Sequence, residues 1–231
     1  MALTVSVIIP TFCEAGGIAD AVRRAQEIGD EVIVVDGGSS DGTAELARAA
    51  GARVVSAARS RGAQLHAGAS VAEGSVLLFL HADVVLPSSA RAAMVEALAD
   101  DRVVGGNFYL RFVPGSFAAS LFTLANHWRR RWLRIYYGDS GLFVRRDVYR
   151  RLGGFRALPV LEDYELVRRL ERAGRTAYLR DVVIEASARR FEAAPLRTLG
   201  VWTLIQVLYS GFGVRPERLA KLYRDIRGRT G

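Results

Sequence analysis

A chain of 231 residues, half of them hydrophobic and with a net charge of +8, can bury one substantial core but hardly two independent catalytic domains. Cys13 is the single cysteine, which excludes an internal disulfide and a cysteine metal cluster and fits a reducing, cytoplasmic setting. The positive charge is nearly all arginine, spread over many segments without a nucleic-acid-binding signature, so nucleic acid is not expected as a partner.

The chain opens on Val5–Pro10, an apolar run with no basic leader before it, so no secretory signal is expected and the protein is taken to begin where the sequence begins. Further strand-like runs at Val32–Asp36, Arg53–Ser56 and Val76–His81 alternate with helical patterns at Ile18–Ile28, Thr43–Ala50, Arg61–Ala72 and Ser88–Ala99. Such alternation predicts βαβ units and a mostly parallel sheet with helices on both faces. The second half is more mixed. Strands are expected at Asn107–Phe112 and Leu142–Arg145, on either side of a long apolar, arginine-rich stretch at Phe117–Tyr137; a helix is expected from Glu162, then two C-terminal helices punctuated by Pro195, Gly211, Gly213 and Pro216.

In an open parallel sheet ligands collect at the carboxyl ends of the strands, and the polar residues gather there. Strand one ends in Pro10-Thr11-Phe12-Cys13-Glu14, strand two in Asp36-Gly37-Gly38-Ser39-Ser40-Asp41-Gly42-Thr43, and strand four in His81-Ala82-Asp83. Neither a dinucleotide fingerprint nor a phosphate loop occurs, which removes the hydride-transfer and P-loop classes. Asp36 sits where it can accept hydrogen bonds from a base imide or a ribose, although residues of this kind also form ligand-free turns, and Asp41 is suited to cap the next helix. Arg61, Gln64 and Gly68 share one helix face, from which an arginine fork can meet carbonyls or phosphate. Asp83 is placed to hold Mg²⁺ or Mn²⁺ against a diphosphate; His81 either adds a second ligand or orients the loop. Gly138-Asp139-Ser140-Gly141 and Leu161-Glu162-Asp163-Tyr164 offer further acids, one of which can serve as a general base. The arginine clusters Arg129-Arg130-Arg131 with Arg134, Arg145-Arg146 and Arg189-Arg190 are expected to be solvated surface, with an anionic substrate or lipid as the alternative.

As an ordered set across roughly residues 5 to 190, these motifs resemble the family 2 glycosyltransferases of the GT-A fold. The resemblance implies a Rossmann-like, mostly parallel α/β sheet flanked by helices, with a catalytic domain over 1–192 and a C-terminal helical extension over 193–231. It implies a metal-assisted, inverting transfer of sugar from a nucleotide-diphosphate donor, a UDP-sugar, to an unidentified hydroxyl acceptor. Pro10, Thr11, Glu14, Asp36, Gly37, Ser39, Arg61, Gln64, Ala82 and Asp83 are then nucleotide or metal contacts, Arg190 or its neighbour Arg189 neutralises the diphosphate, and Asp163 is the base, with Glu162 and Asp139 beside it. One departure stands out: the family's Asp-x-Asp metal motif reads His81-Ala82-Asp83 here, so its first acid is missing. The set of His81-Ala82-Asp83, Arg61-Gly62-Ala63-Gln64, Gly138-Asp139-Ser140-Gly141 and Ser187-Ala188-Arg189-Arg190-Phe191 also resembles a small bacterial subgroup labelled arsenosugar-biosynthesis glycosyltransferases. A nucleotide-sugar-binding protein without transfer activity is the alternative. The apolar stretch Leu199–Phe212 falls short of a membrane span; packing on the domain or pairing in a homodimer is expected ahead of peripheral contact with the inner membrane face.

Overall fold

The computed structural model describes residues 3–187 and 195–228. Its centre is a seven-stranded sheet in the order β3-β2-β1-β4-β6-β5-β7, built from β1 (Val5–Thr11), β2 (Glu31–Asp36), β3 (Arg53–Ser56), β4 (Val76–Phe79), β5 (Val103–Val113), β6 (Leu142–Arg145) and β7 (Arg175–Ser187). Only β6 runs antiparallel to its neighbours. The helices are α1 (Ile18–Gln26), α2 (Thr43–Ala49), α3 (Arg61–Val71), α4 (Ser89–Ala97), α5 (Phe117–Trp128), α6 (Arg146–Arg151), α7 (Glu162–Ala173), α8 (Pro195–Ser210) and α9 (Pro216–Gly228).

Strands β1, β2 and β4 are apolar along almost their whole length because both sheet faces are covered. Residues of alternating parity feed two cores: Val5, Val7 and Ile9 join Val22, Val34, Leu78 and Met94 on one side, and Ile8 joins Ile33, Leu65, Leu77 and Leu166 on the other. This is the fold class expected from the sequence. Strand β7 is not among the expected elements. Its Val182, Ile184 and Ala186 are buried against β5 while the residues between them are less covered, the alternation of a strand at the sheet's margin. Along Phe117–Tyr137 the chain forms α5, followed by a π-helical turn over Arg129–Leu133.

The arginine clusters divide. Arg134 is exposed, as expected of solvated surface, but Arg130 is only 6% exposed. Its guanidinium donates to Asn107 Oδ1 at 2.6 Å, Glu171 Oε1 at 3.3 Å, Thr176 Oγ1 at 3.0 Å and the Ala177 carbonyl at 3.1 Å, and it lies 4.3 Å over the Tyr136 ring. Arg145 likewise turns inward and donates to the carbonyls of Val103 and Leu98. These arginines tie β5, β6, β7 and α7 together, because five fixed N–H donors can satisfy backbone and side-chain oxygens that the fold leaves together. Arg189 and Arg190 lie outside the described residues.

The C-terminal helices cover the start of α7: Leu161, Tyr164, Ile205 and Leu219 form a small separate core, and Tyr164 Oη lies 3.1 Å from Ser210 Oγ. No described helix is long and apolar enough to cross a membrane.

Candidate active site

The loops that leave β1 and β2 are bonded to each other before any ligand is considered. Cys13 N donates to Ser39 Oγ, Glu14 N to Thr43 Oγ1 and Ala15 N to Asp41 Oδ2. Asp41 also accepts from Thr43 N and Thr43 Oγ1, an Asx turn one residue ahead of the helix; the cap position of α2 itself is Gly42, in left-handed backbone, and not Asp41 as the sequence suggested. The Asp36 carboxylate accepts from Gly38 N and Ser39 N at 3.0 Å each and from Ser39 Oγ at 2.5 Å. It therefore shapes its own turn; Oδ2 takes two of these bonds and Oδ1 one, so Oδ1 retains lone-pair capacity toward a ligand. Thr11 is 2% exposed and its carbonyl accepts from Gly37 N and from Gln64 Nε2; Gln64 Nε2 also reaches the Val35 carbonyl at 2.8 Å. Thr11 and Gln64 are thus floor rather than wall. Gln64 stitches the ends of β1 and β2, and a Cβ at Gly37 would press on its amide at 3.2 Å. Pro10 is half-buried and Glu14 exposed at the same edge.

A second group of predicted residues meets in one cavity of about 550 Å³ lined by Arg61, His81, Asp83, Asp139 and Asp163, with Arg129, Tyr137 and Trp202 among its other walls. Arg61 opens α3, His81 and Asp83 follow β4, Asp139 precedes β6, and Asp163 opens α7. Close approach makes this convergence possible: a Cβ at Gly62 would come within 2.6 Å of the Arg156 carbonyl and 3.3 Å of Glu162 Cβ. Leu161, at φ 61° in left-handed space that a branched side chain rarely occupies, turns the chain into α7. Glu162 and Asp163 follow immediately and are buried.

Arg61 Nε pairs with Glu162 Oε1, and its Nη2 lies 3.1 Å from Asp163 Oδ2. Burial works against the guanidinium charge, but the Asp163 and Glu162 carboxylates outweigh it and hold the pKa of Arg61 above its usual value. Asp163 Oδ2 also accepts from Gly138 N at 2.8 Å, and its Oδ1 from Tyr164 N at 2.7 Å, so the carboxylate is held rigidly at the cavity wall. A Cβ at Gly138 would lie 3.3 Å from Asp163 Oδ2 and 3.5 Å from His81 Nε2, so a larger residue there would crowd the carboxylate where the acid and the imidazole approach. Glu162 faces α3 and does not line the cavity; burial first, then the Asp163 charge, raises its carboxyl above the ordinary range against the pull of Arg61.

Asp139 differs from Asp163. Burial, and next the Asp163 charge, push its carboxyl up to about 6, with Arg129 and Arg61 opposing. A carboxyl that holds its proton more tightly when folded than when unfolded destabilises the fold progressively as pH rises from the ordinary value of 3.8 through about 6. Asp139→Asn is therefore expected to raise thermal stability at pH 8, by on the order of 3 kcal/mol at most, and to have little effect at pH 4. Melting curves at the two pH values check this, and an equal shift at both contradicts it.

Asp83 is exposed at the cavity wall, and the Glu14 carboxyl, exposed yet partly desolvated, is raised first by that desolvation and then by the charges of Asp83 and Asp41. Among the described residues no three His, Cys, Asp or Glu side chains form a ready metal cage. The arrangement fits an ion held by Asp83 with His81 and completed by diphosphate oxygens and water, the habit of Mg²⁺ and Mn²⁺. Ala82 lies between the two side chains in the turn after β4, and Arg190 lies outside the described residues. Arg129, Tyr137 and Trp202 are walls that sequence reasoning missed. Arg129 stands in a run read as surface, while Trp202 comes from α8, whose docking on α7 no local pattern announces.

The family model for glycosyl transferase family 2 matches residues 6–157. Glycosyltransferase AglJ of Haloferax volcanii is 35% identical over 109 residues, which are 45% of this chain and 36% of that protein, so the chain spans about a third of that relative's length. The fold is similar to glucosyl-3-phosphoglycerate synthase from Mycobacterium tuberculosis in complex with Mn²⁺, uridine diphosphate and glucosyl-3-phosphoglycerate: TM-score 0.62, 22% identity, covering 89% of this chain and 79% of that one. The same synthase with Mg²⁺ and uridine diphosphate gives a TM-score of 0.61 at 21% identity, over 89% and 78% of the two chains.

Proposed function

The chain belongs to glycosyl transferase family 2, and from that premise we propose that it moves a sugar from a UDP-sugar donor to a hydroxyl acceptor, with inversion at the anomeric carbon. The observation that carries this reading is the convergence of Arg61, His81, Asp83, Asp139 and Asp163 from four separate segments on one cavity at the carboxyl edge of the sheet, where a nucleotide is expected. Residues 1–192 form the catalytic domain in this reading, and 193–231 an extension that closes the cavity with Trp202. The arsenosugar subgroup remains a resemblance.

Asp36 and Ser39 receive the uridine, and Asp83 with His81 hold a divalent ion against the diphosphate. That ion supplies Lewis-acid stabilisation of the charge on the departing nucleoside diphosphate. The acceptor oxygen attacks the anomeric carbon as the bond to the diphosphate oxygen breaks, its electron pair leaving with the nucleoside diphosphate. The acceptor proton passes to Asp163. A second reading puts the proton on Asp139, favoured by its pKa of about 6, since a base works best near the operating pH. Asp163 would then act on Asp139 as a neighbouring carboxylate that adds to the effect of burial on its proton affinity.

Titration calorimetry of uridine diphosphate tests the donor site. Binding is expected to need Mg²⁺ or Mn²⁺, and Asp83→Ala is expected to weaken it about tenfold or more, the loss of a principal ligand. Equal affinity with and without the cation refutes the metal role; no binding under either condition refutes the donor class.

A further inference from the structure

Helix α5 presents two different faces. Phe122, Ala125, Asn126 and the following Arg129 line the cavity. Phe117, Leu121, Leu124 and Trp128, at i, i+4, i+7 and i+11, form a single apolar stripe on the adjoining face, exposed by 86%, 38%, 61% and 52%. Trp132, 65% exposed in the π-helical turn, continues the apolar surface. Large apolar side chains scattered singly need no explanation, but a continuous stripe beside a cavity mouth marks an interaction surface.

Charge identifies the occupant. From Phe117 to Arg134 the chain contains no aspartate or glutamate, and Arg131 and Arg134 are exposed at the end of the stripe. The Arg131 guanidinium lies 5.0 Å over the Trp132 ring, pairing a cation with an amphipathic ring of the kind that settles at the level of lipid headgroups. A second copy of the chain seated by two-fold symmetry would bring these arginines against like charge; an anionic bilayer neutralises them while taking up the stripe. We propose that α5 and the turn after it seat the protein on an anionic lipid surface, with the stripe Phe117-Leu121-Leu124-Trp128 entering the interface and the cavity opening beside the headgroups. The contact differs in place from the one considered for Leu199–Phe212, and it does not depend on transfer activity.

Sedimentation of the full chain with vesicles tests the proposal. Binding is expected to vesicles of phosphatidylglycerol and phosphatidylcholine, to weaken in high salt, and to be far weaker on phosphatidylcholine alone, with tryptophan emission shifting to the blue on binding. Leu124→Glu with Trp128→Glu is expected to lower partitioning about tenfold or more, whereas Leu204→Glu, on an exposed position of α8, leaves it unchanged. Arg131→Gln keeps the apolar stripe and is expected to cost about fivefold on the anionic vesicles only, the worth of one cation near such a surface; it decides the matter if the double variant melts early. The proposal is overturned if the wild-type chain stays in the supernatant with anionic vesicles, or if Arg131→Gln and the folded stripe variant sediment like wild type. It is equally overturned if the stripe variant dissociates a dimer whose parent ignores vesicles.

Discussion

Asp163→Asn is expected to lower turnover by about 10²–10⁴-fold, the usual worth of a positioned general base, with little change in donor affinity. The substitution preserves shape, and its single oxygen can still accept either from Gly138 N and Arg61 or from Tyr164 N, but it removes the charge and the capacity to take a proton. Donor affinity is expected to hold because uridine recognition rests on the β1 and β2 loops, whose hydrogen bonds to one another do not involve Asp163. Asp139→Asn under saturating donor separates the two readings. If Asp163→Asn turns over almost normally while Asp139→Asn does not, the proton goes to Asp139. The pH profile then carries a second mark: with Asp139 as the base, turnover rises as pH passes through about 6, where the group loses its proton and becomes able to accept one. Glu162→Gln is expected to act differently from either, since Glu162 faces Arg61 rather than the cavity; its loss frees Arg61 and loosens the hold on Asp163.

The half of the fold built from local repetition was legible in the sequence. Each of the first four strands is a short apolar run followed by a polar loop, glycine-bearing after the first two, so strand ends, helix starts and the gathering of Asp36, Asp41 and Asp83 at one edge follow from pattern alone. Strand β7 was missed because its alternation is interrupted by Arg180 and Asp181, and its pairing with β5 shifts register between Phe108 and Tyr109; its place depends on a partner far away in the chain. The site shows the same division. Arg61 and Asp163 were legible as residue types in plausible places, but their contact spans 102 residues and rests on the close passage of α3 past α7 at Gly62. Gln64 was read as facing a ligand because it shares a helix face with Arg61. The carbonyls of Thr11 and Val35, brought together only when β1 and β2 pair, claim its amide first. Arg129 was hidden by its neighbours, since a run of arginines carries no mark of which one turns inward.

Arg130→Met is expected to destabilise the protein by about 3–5 kcal/mol, the typical consequence of removing one partner from a buried ion pair. Methionine can follow the arginine stem between Tyr136 and Tyr178, so the packing loss is small and the effect isolates the polar network. Left behind are Asn107 Oδ1 without its donor, the Thr176 and Ala177 oxygens with fewer hydrogen bonds, and Glu171, whose carboxylate retains Thr176 Oγ1 and, as its remaining cation among the described residues, the more distant Arg134 at 3.7 Å. A charge stranded in that environment is the largest cost, which makes the double variant informative. Arg130→Met with Glu171→Gln removes both charges and is expected to recover much of the loss, a coupling of about 1–3 kcal/mol between the sites. Urea unfolding of the wild type, both single variants and the double variant measures this cycle. A single-variant cost below about 1 kcal/mol, the range of exposed arginines, returns Arg130 to the solvated surface that its sequence neighbourhood suggests. The network also bears on the cavity: Arg130 leads from α5 into the segment that carries Tyr137 and Asp139, so unfastening it is expected to blunt turnover even at temperatures where the variant remains folded.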